Sequence, residues 1–329
     1  MSNTEEEKTV KHSLIGAFAA VVSLAAPAVA QQHLSITTGG TGGVYFPMGG
    51  GIAELISQNL EGYSAVGEVS GGTVENMARI FNGDADFAMG IADTVSQAAS
   101  GTGAFEGRQV PVRTIAAIYA APMQIVVLDE GPIQTLQDVK GTRFSIGAPG
   151  SGNEVNTTTV LGANGISFDD LGRTERLSYT ETADGMRDGV VDGGLWASTA
   201  PTSSIMSLSA SRDLRLIGLS DEEVAAIIEQ DESFVPFTMP EGIYPGVEAP
   251  VQTVALSNAL VAHEDLDEEL AYQVTKLLHE NAEYLVSIHP AARDMTEEFM
   301  VNGASVPLHP GAQRYYEEIG LEIPDRLRP

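Results

Sequence analysis

Three stretches of this chain share one order: a short β-rich run, a glycine-rich turn, then a segment with helical periodicity. Residues 34–38 run into Gly39-Gly40-Thr41-Gly42-Gly43, after which Ile52, Leu55, Ile56 and Leu60 share one helical face. Residues 63–69 run into Ser70-Gly71-Gly72-Thr73, followed by Val74, Met77, Ala78 and Phe81 at helical spacing. Residues 143–148 run into Pro149-Gly150-Ser151-Gly152, and the pattern predicts a helix over 153–163. Strands that alternate with helices through short turns restrict the chain to α/β layers. A turn of this kind also exposes backbone N–H groups at the positive end of a helix dipole, which is chemistry for an anion. Glycine allows close approach, and Thr41, Thr73 and Ser151 add hydroxyls that donate or accept. A single such loop is explained by a tight turn alone; the recurrence at helix starts points to a ligand.

The first and third stretches open two similarly spaced series. Gly39 and Asp86 stand 47 residues apart, Gly147 and Asp192 stand 45 apart, and each Asp precedes an apolar or small strand. Two related α/β lobes account for this weak internal symmetry. Residues 113–128, interrupted by Pro122, and residues 250–258 are β-rich stretches that bracket the second series and read as a two-strand hinge. The expected fold is therefore α/β, two lobes joined by a two-strand hinge with the ligand cleft between them. Residues 31–120 plus 253–329 form lobe I and residues 121–252 lobe II. Helices over 266–288 and 291–302 are expected to return to lobe I.

Other chemistries lack their residues. The dinucleotide fingerprint needs glycine at 45 or 155, where Tyr45 and Val155 stand, and no Gly-Lys-Ser/Thr phosphate loop occurs. A nucleophile elbow at Ser151 needs glycine at 149 and 153, where Pro149 and Asn153 stand. His279-Glu280 is followed by Glu283 where a helical zinc motif needs histidine, and His33, His263, His289 and His309 show no ligand spacing. The chain has no cysteine, which excludes thiol chemistry. The reading is accordingly a non-enzyme with no cofactor and no metal. A net charge of −28 disfavours nucleic acid and anionic lipid as partners. There is no Lys or Arg over 34–73 or 144–171, so the loops must hold an anion with N–H groups and hydroxyls unless Arg113 or Arg176 reaches the cleft.

Residues 1–30 read as an export signal: an apolar run over 13–26 follows Lys8, Lys11 and His12 and ends in Ala28-Val29-Ala30, although Glu5, Glu6 and Glu7 are unusual there. Cleavage near Ala30 gives a periplasmic protein. No later segment reaches eighteen consecutive apolar residues, so direct membrane insertion of the mature chain is not expected.

The segment Thr37-Thr38-Gly39-Gly40-Thr41-Gly42-Gly43-Val44-Tyr45-Phe46-Pro47 resembles the opening signature of the TAXI-type solute receptors of TRAP transporters. Ser70-Gly71-Gly72-Thr73-Val74-Glu75-Asn76, Gly147-Ala148-Pro149-Gly150-Ser151-Gly152 and Leu308-His309-Pro310-Gly311-Ala312 are similar to later family motifs in the same order. The resemblance implies a periplasmic binding protein-like fold and a receptor that closes on a small organic anion, glutamate-like or a dicarboxylate, and delivers it to TRAP membrane subunits for sodium-coupled import. A periplasmic sensor presenting its closed state to a signalling partner is the alternative. Asn153 stands where the family has Thr, and either donates an amide hydrogen bond or caps its helix.

The expected ligand contacts are Thr41, Gly42, Gly43, Val44 and Tyr45, with Gly72 and Thr73 beside them, and Pro149, Gly150, Ser151, Gly152 and Asn153 from the second lobe. Asp93 either meets an ammonium group or caps a helix. Trp196, the only tryptophan, either packs on the ligand or belongs to the core. Thr199 and Pro201 mark a helix start at the cleft, and Tyr244 is placed to close over the ligand.

Overall fold

The computed structural model describes residues 31–329; the expected export signal, residues 1–30, lies outside the described residues. The first series forms β1 (Gln32–Thr37), α1 (Tyr45–Asn59), β2 (Tyr63–Glu68), α2 (Thr73–Asn82), β3 (Phe87–Ile91) and α3 (Ala92–Ser100). The long strand β4 (Val112–Leu128) leads to β5 (Arg143–Ser145), α4 (Gly152–Ala163), β6 (Arg173–Glu175), α5 (Tyr179–Arg187), β7 (Gly193–Ala197), α6 (Ser203–Ser209), β8 (Leu214–Ile217), α7 (Asp221–Gln230) and β9 (Val235–Met239). The chain returns along β10 (Val251–His263) and ends in α8 (Glu268–Glu280), α9 (Ala282–Ile288), α10 (Glu297–Asn302) and α11 (Pro310–Glu318).

The strand order is β2-β1-β3-β10-β4-β7-β5-β6, with β8 beside β4 and β9 beside β10. Within each series the strands are parallel: β1 with β2 and β3, and β5 with β6 and β7. β4 and β10 run antiparallel and link the two halves. Residues 112–122 of β4 pair with β10, whereas residues 123–127 pair with β7. The changeover falls at Pro122, which the sequence pattern treats as an interruption. The strand instead continues through it, with Pro122 opposite Ala255. β4 is buried on both faces along almost its whole length, as expected for a sheet covered on both sides.

Each half has its own core. Leu34, Ile36, Ile52, Ile56 and Phe87 pack with Val274, Leu278 and Tyr316, so the C-terminal helices do return to the first half. Phe144, Ile146, Val160, Leu195 and Ile217 form the core of the second. β4 supplies Ile115 and Ile118 to the first core and Ile125 and Val127 to the second. The internal symmetry has a physical counterpart. Asp86 Oδ2 accepts the Ser35 N–H at 2.7 Å, and Asp192 Oδ2 accepts the Arg143 N–H at 2.8 Å. In both series the carboxylate before the third strand holds the first strand.

Two local readings differ from the structure. The run 176–179 has the pattern of a strand, but β6 lies earlier, at Arg173–Glu175, and α5 begins at Tyr179. Ser178 Oγ accepts the Glu181 N–H and Glu181 returns the bond to the Ser178 N–H, a capping box that starts the helix early. The helix expected over 266–288 is divided at Asn281, whose side chain donates back to the Leu277 carbonyl at 2.8 Å. No helix among the described residues is long and apolar enough to cross a membrane.

Candidate functional site

The N-termini of α1, α2, α4 and α5 converge on one cavity of about 340 Å³ between the two halves. Each brings its glycine- or serine-rich approach. Gly39 to Tyr45 and Ser70 to Thr73 line it from the first half, and Ser151 to Asn153 and Ser178 to Glu181 from the second. The first-half helices start without a side-chain cap: Val44 and Gly72 hold the capping positions of α1 and α2. In the second half, Ser151 caps Glu154 N of α4 and Ser178 caps Glu181 N of α5. A missing cap weakens a helix by about 1 kcal/mol. An anion seated here would satisfy those N–H groups and face four positive dipole ends.

The lining includes no Lys, Arg or His among the described residues. Arg113 pairs with Glu264 at 2.6 Å and Arg176 with Glu154 at 3.0 Å, so neither supplies the cleft with a cation. Glu181, a lining residue, is committed to the cap of its own helix. Three tyrosines complete the wall. Tyr45 Oη donates to Asn258 Oδ1 at 2.5 Å, and Tyr179 Oη donates to the Ala197 carbonyl at 3.0 Å. Burial pushes the Tyr45, Tyr119 and Tyr179 hydroxyls far above their ordinary range, so they remain neutral hydrogen-bonding groups.

A model of the NMT1-like family matches residues 36–320. The chain belongs to the NMT1-like family. Solved structures with a similar fold include a protein of Bordetella bronchiseptica RB50, 17% identical, covering 89% of this chain and 90% of that one, with a TM-score of 0.50. The periplasmic aliphatic sulphonate binding protein SsuA from Escherichia coli is 13% identical over 87% of this chain and 83% of its own, with a TM-score of 0.49. A structure described for glutathione import through GshT of Streptococcus mutans is 9% identical over 80% and 95%, with a TM-score of 0.49. At these identities the likeness concerns the fold alone.

In this NMT1-like protein, Thr41, Gly42, Gly43, Val44, Tyr45, Gly72, Thr73, Ser151, Gly152 and Asn153 all line the cavity. The glycines have a second task there. A Cβ on Gly43 would lie 3.1 Å from the Tyr179 ring, and one on Gly152 2.7 Å from Ile91 Cγ2. They let one half of the protein approach the other. Asn153 is committed within its own half. Its Nδ2 donates to the Leu195 carbonyl at 2.8 Å, and its Oδ1 accepts the Ala197 N–H at 2.7 Å. Its amide N–H and oxygen together tie α4 to β7, and Ser151 holds the capping position.

Seven expected contacts lie outside the lining. Pro149 and Gly150 sit behind it, where the Gly150 carbonyl accepts the Glu75 N–H at 3.1 Å. Trp196 is fully buried in the core, donates to Ser204 Oγ at 3.1 Å and stacks on Tyr179 with ring centres 6.0 Å apart. The Thr199 carbonyl accepts from Thr202 Oγ1, and Pro201 lines a separate crevice with His289. Tyr244 Oη accepts the Thr202 N–H at 2.9 Å and donates to Gln124 at 2.7 Å, which fixes it as an internal strut. Asp93 is the seventh. It lies in the first turn of α3, whose capping position is held by Ile91. Its carboxylate accepts from Asn156 Nδ2 at 2.7 Å and from Thr94 Oγ1 at 3.1 Å, and burial pushes its pKa up to about 7.

Sequence reasoning did not single out Tyr119, Asn156, Tyr179 or Thr180, all of which line the cavity. For Tyr179 and Thr180 a signal existed in the Ser178-x-x-Glu181 capping box. Tyr119 lies within an apolar strand and Asn156 mid-helix, where no local pattern marks them. Among the described residues, no group of three His, Cys, Asp or Glu is arranged to hold a metal ion.

Proposed function

We propose that this chain is an extracytoplasmic solute-binding receptor that holds a small organic anion between its lobes and delivers it to membrane transporter subunits. The observation that carries this reading is the convergence of four helix N-termini, two of them uncapped, on one cavity free of basic side chains. The cavity is at the small end of the range for ligand sites, which fits a metabolite-sized acid. The lobes are assigned as residues 31–120 plus 253–329 and residues 121–252, and their approach across β4 and β10 encloses the solute. The motif resemblance supports a TAXI-type receptor of a TRAP transporter, with a glutamate-like amino acid or a dicarboxylate as ligand. No enzymatic role is assigned.

The direct test is a thermal-shift and calorimetric titration of the exported form with amino acids, mono- and dicarboxylates, sulfonates and phosphate. Strong stabilisation by one class is expected. Silence towards every anion overturns the receptor reading. Uptake reconstituted with the membrane subunits then decides the transporter type: dependence on a sodium gradient supports TRAP, and dependence on ATP hydrolysis replaces it with an ABC-type partner.

A further inference from the structure

We propose that Asn156 is the specificity-determining acceptor of the cavity, so that the ligand presents an N–H or O–H donor beside its anionic group. This rests on the solute-receptor reading above. Asn156 lies in α4, one turn beyond the helix start that faces the anion, and its side chain is fully buried at the cavity wall. Its Nδ2 donates to Asp93 Oδ2 at 2.7 Å. The other Asp93 oxygen accepts from Thr94 Oγ1 at 3.1 Å. Because Asp93 Oδ2 accepts the Asn156 bond, the amide is set with its N–H groups turned towards Asp93 and its oxygen turned away. The ionised carboxylate, which prevails above about pH 7, can only accept. That oxygen, Asn156 Oδ1, is buried and has no hydrogen-bond partner among the described residues. Buried polar atoms are nearly always paired, and this one stands on a lining side chain, where a ligand donor would complete it.

The neighbouring amide shows the contrast. Both polar atoms of Asn153 are satisfied within the protein. Asn156 keeps one acceptor in reserve, oriented by Asp93 as a positioning residue. An acid lacking the donor would leave that oxygen unpaired, whereas an α-amino or α-hydroxy acid would not.

The test is calorimetry at about pH 8, where Asp93 is ionised, on three matched sets: propionate, lactate and alanine; succinate, malate and aspartate; glutarate, 2-hydroxyglutarate and glutamate. Within the set that binds, the amino or hydroxy member is expected to bind about tenfold or more tightly than the unsubstituted acid. The two substituted members show whether the donor is an ammonium or a hydroxyl. Asn156→Leu should bring the members to within about threefold. Should that variant fail to fold, Asp93→Asn serves, since an amide there lets either face of Asn156 turn to the cavity and the preference should narrow. Equal affinity across a set in the wild type, or an unchanged preference in both variants, overturns the role of Asn156 and leaves the receptor reading standing. Absence of binding by any acid overturns the receptor reading itself and this proposal with it.

Discussion

Gly72 and Ser151 stand face to face across the cleft: a Cβ on Gly72 would lie 3.2 Å from the Ser151 Cα. Gly72 also has φ of +119°, in the region glycine alone occupies readily. The same interlocking recurs at Gly42, where a methyl would overlap the Thr180 hydroxyl and reach within 3.3 Å of Ser204 Cβ. Two loops that read as ligand cradles are thus also contact surfaces between the lobes.

Gly42 separates the two tasks, because its backbone is not in the left-handed region. Gly42→Ala should keep the fold and obstruct lobe approach, lowering ligand affinity by about tenfold or more with little change in melting temperature. Gly50→Ala, at an exposed position of α1 outside the lining and with nothing within 4 Å of the added methyl, is the control and should stay within about twofold. Equal effects of the two substitutions in calorimetry would sink this account.

Asp93 makes stability depend on pH. Its pKa rises from the ordinary 3.8 to about 7 because burial disfavours the charged form. The folded state binds the proton more tightly than the unfolded state. The stabilisation from Asp93 is therefore complete below about pH 4 and is lost as pH rises through about 7. Asp93→Asn should match the wild type near pH 4 and exceed it above pH 7, by up to about 4 kcal/mol. Urea unfolding at several pH values checks the sign; a variant less stable at pH 8 contradicts it.

Asn153 holds α4 to the end of β7 through the Leu195 carbonyl and the Ala197 N–H, and its Oδ1 also accepts from Tyr179 Oη at 3.2 Å. Asn153→Ala leaves buried groups unpaired on β7 and should cost about 2–4 kcal/mol in chemical denaturation. A loss below about 0.5 kcal/mol would show that these bonds are replaced by water.

Trp196 does not touch the cavity, yet it stacks on Tyr179, which does. Ligand binding should therefore change the emission of this single tryptophan. The signal should vanish in Trp196→Phe while calorimetric binding persists. An unchanged emission at saturating ligand would show that the Tyr179 ring is unmoved by binding.

What the sequence determined by itself is local. Glycine-rich turns between β-rich runs and amphipathic segments were enough for the α/β alternation, the helix starts that line the cavity and the lack of basic residues in their loops. Short-range chemistry also explains why the Ser178 capping box was readable in principle, since its partners lie three residues apart. The tertiary structure decided which polar groups remain free. Asp93 and Asn156 are 63 residues apart, and Asn153 reaches Ala197 44 residues away, so neither pairing leaves a periodic trace. An Asn on a helix reads the same whether its amide is satisfied or held open. The packing of α4 against β7 satisfies Asn153, while the packing of α3 against α4 pairs the Asn156 N–H with Asp93 and leaves its oxygen without a partner among the described residues. Trp196, Thr199 and Tyr244 show the converse: aromatic or hydroxyl chemistry suited to a ligand, drawn into internal hydrogen bonds because the folded chain brings Ser204, Thr202 and Gln124 within reach.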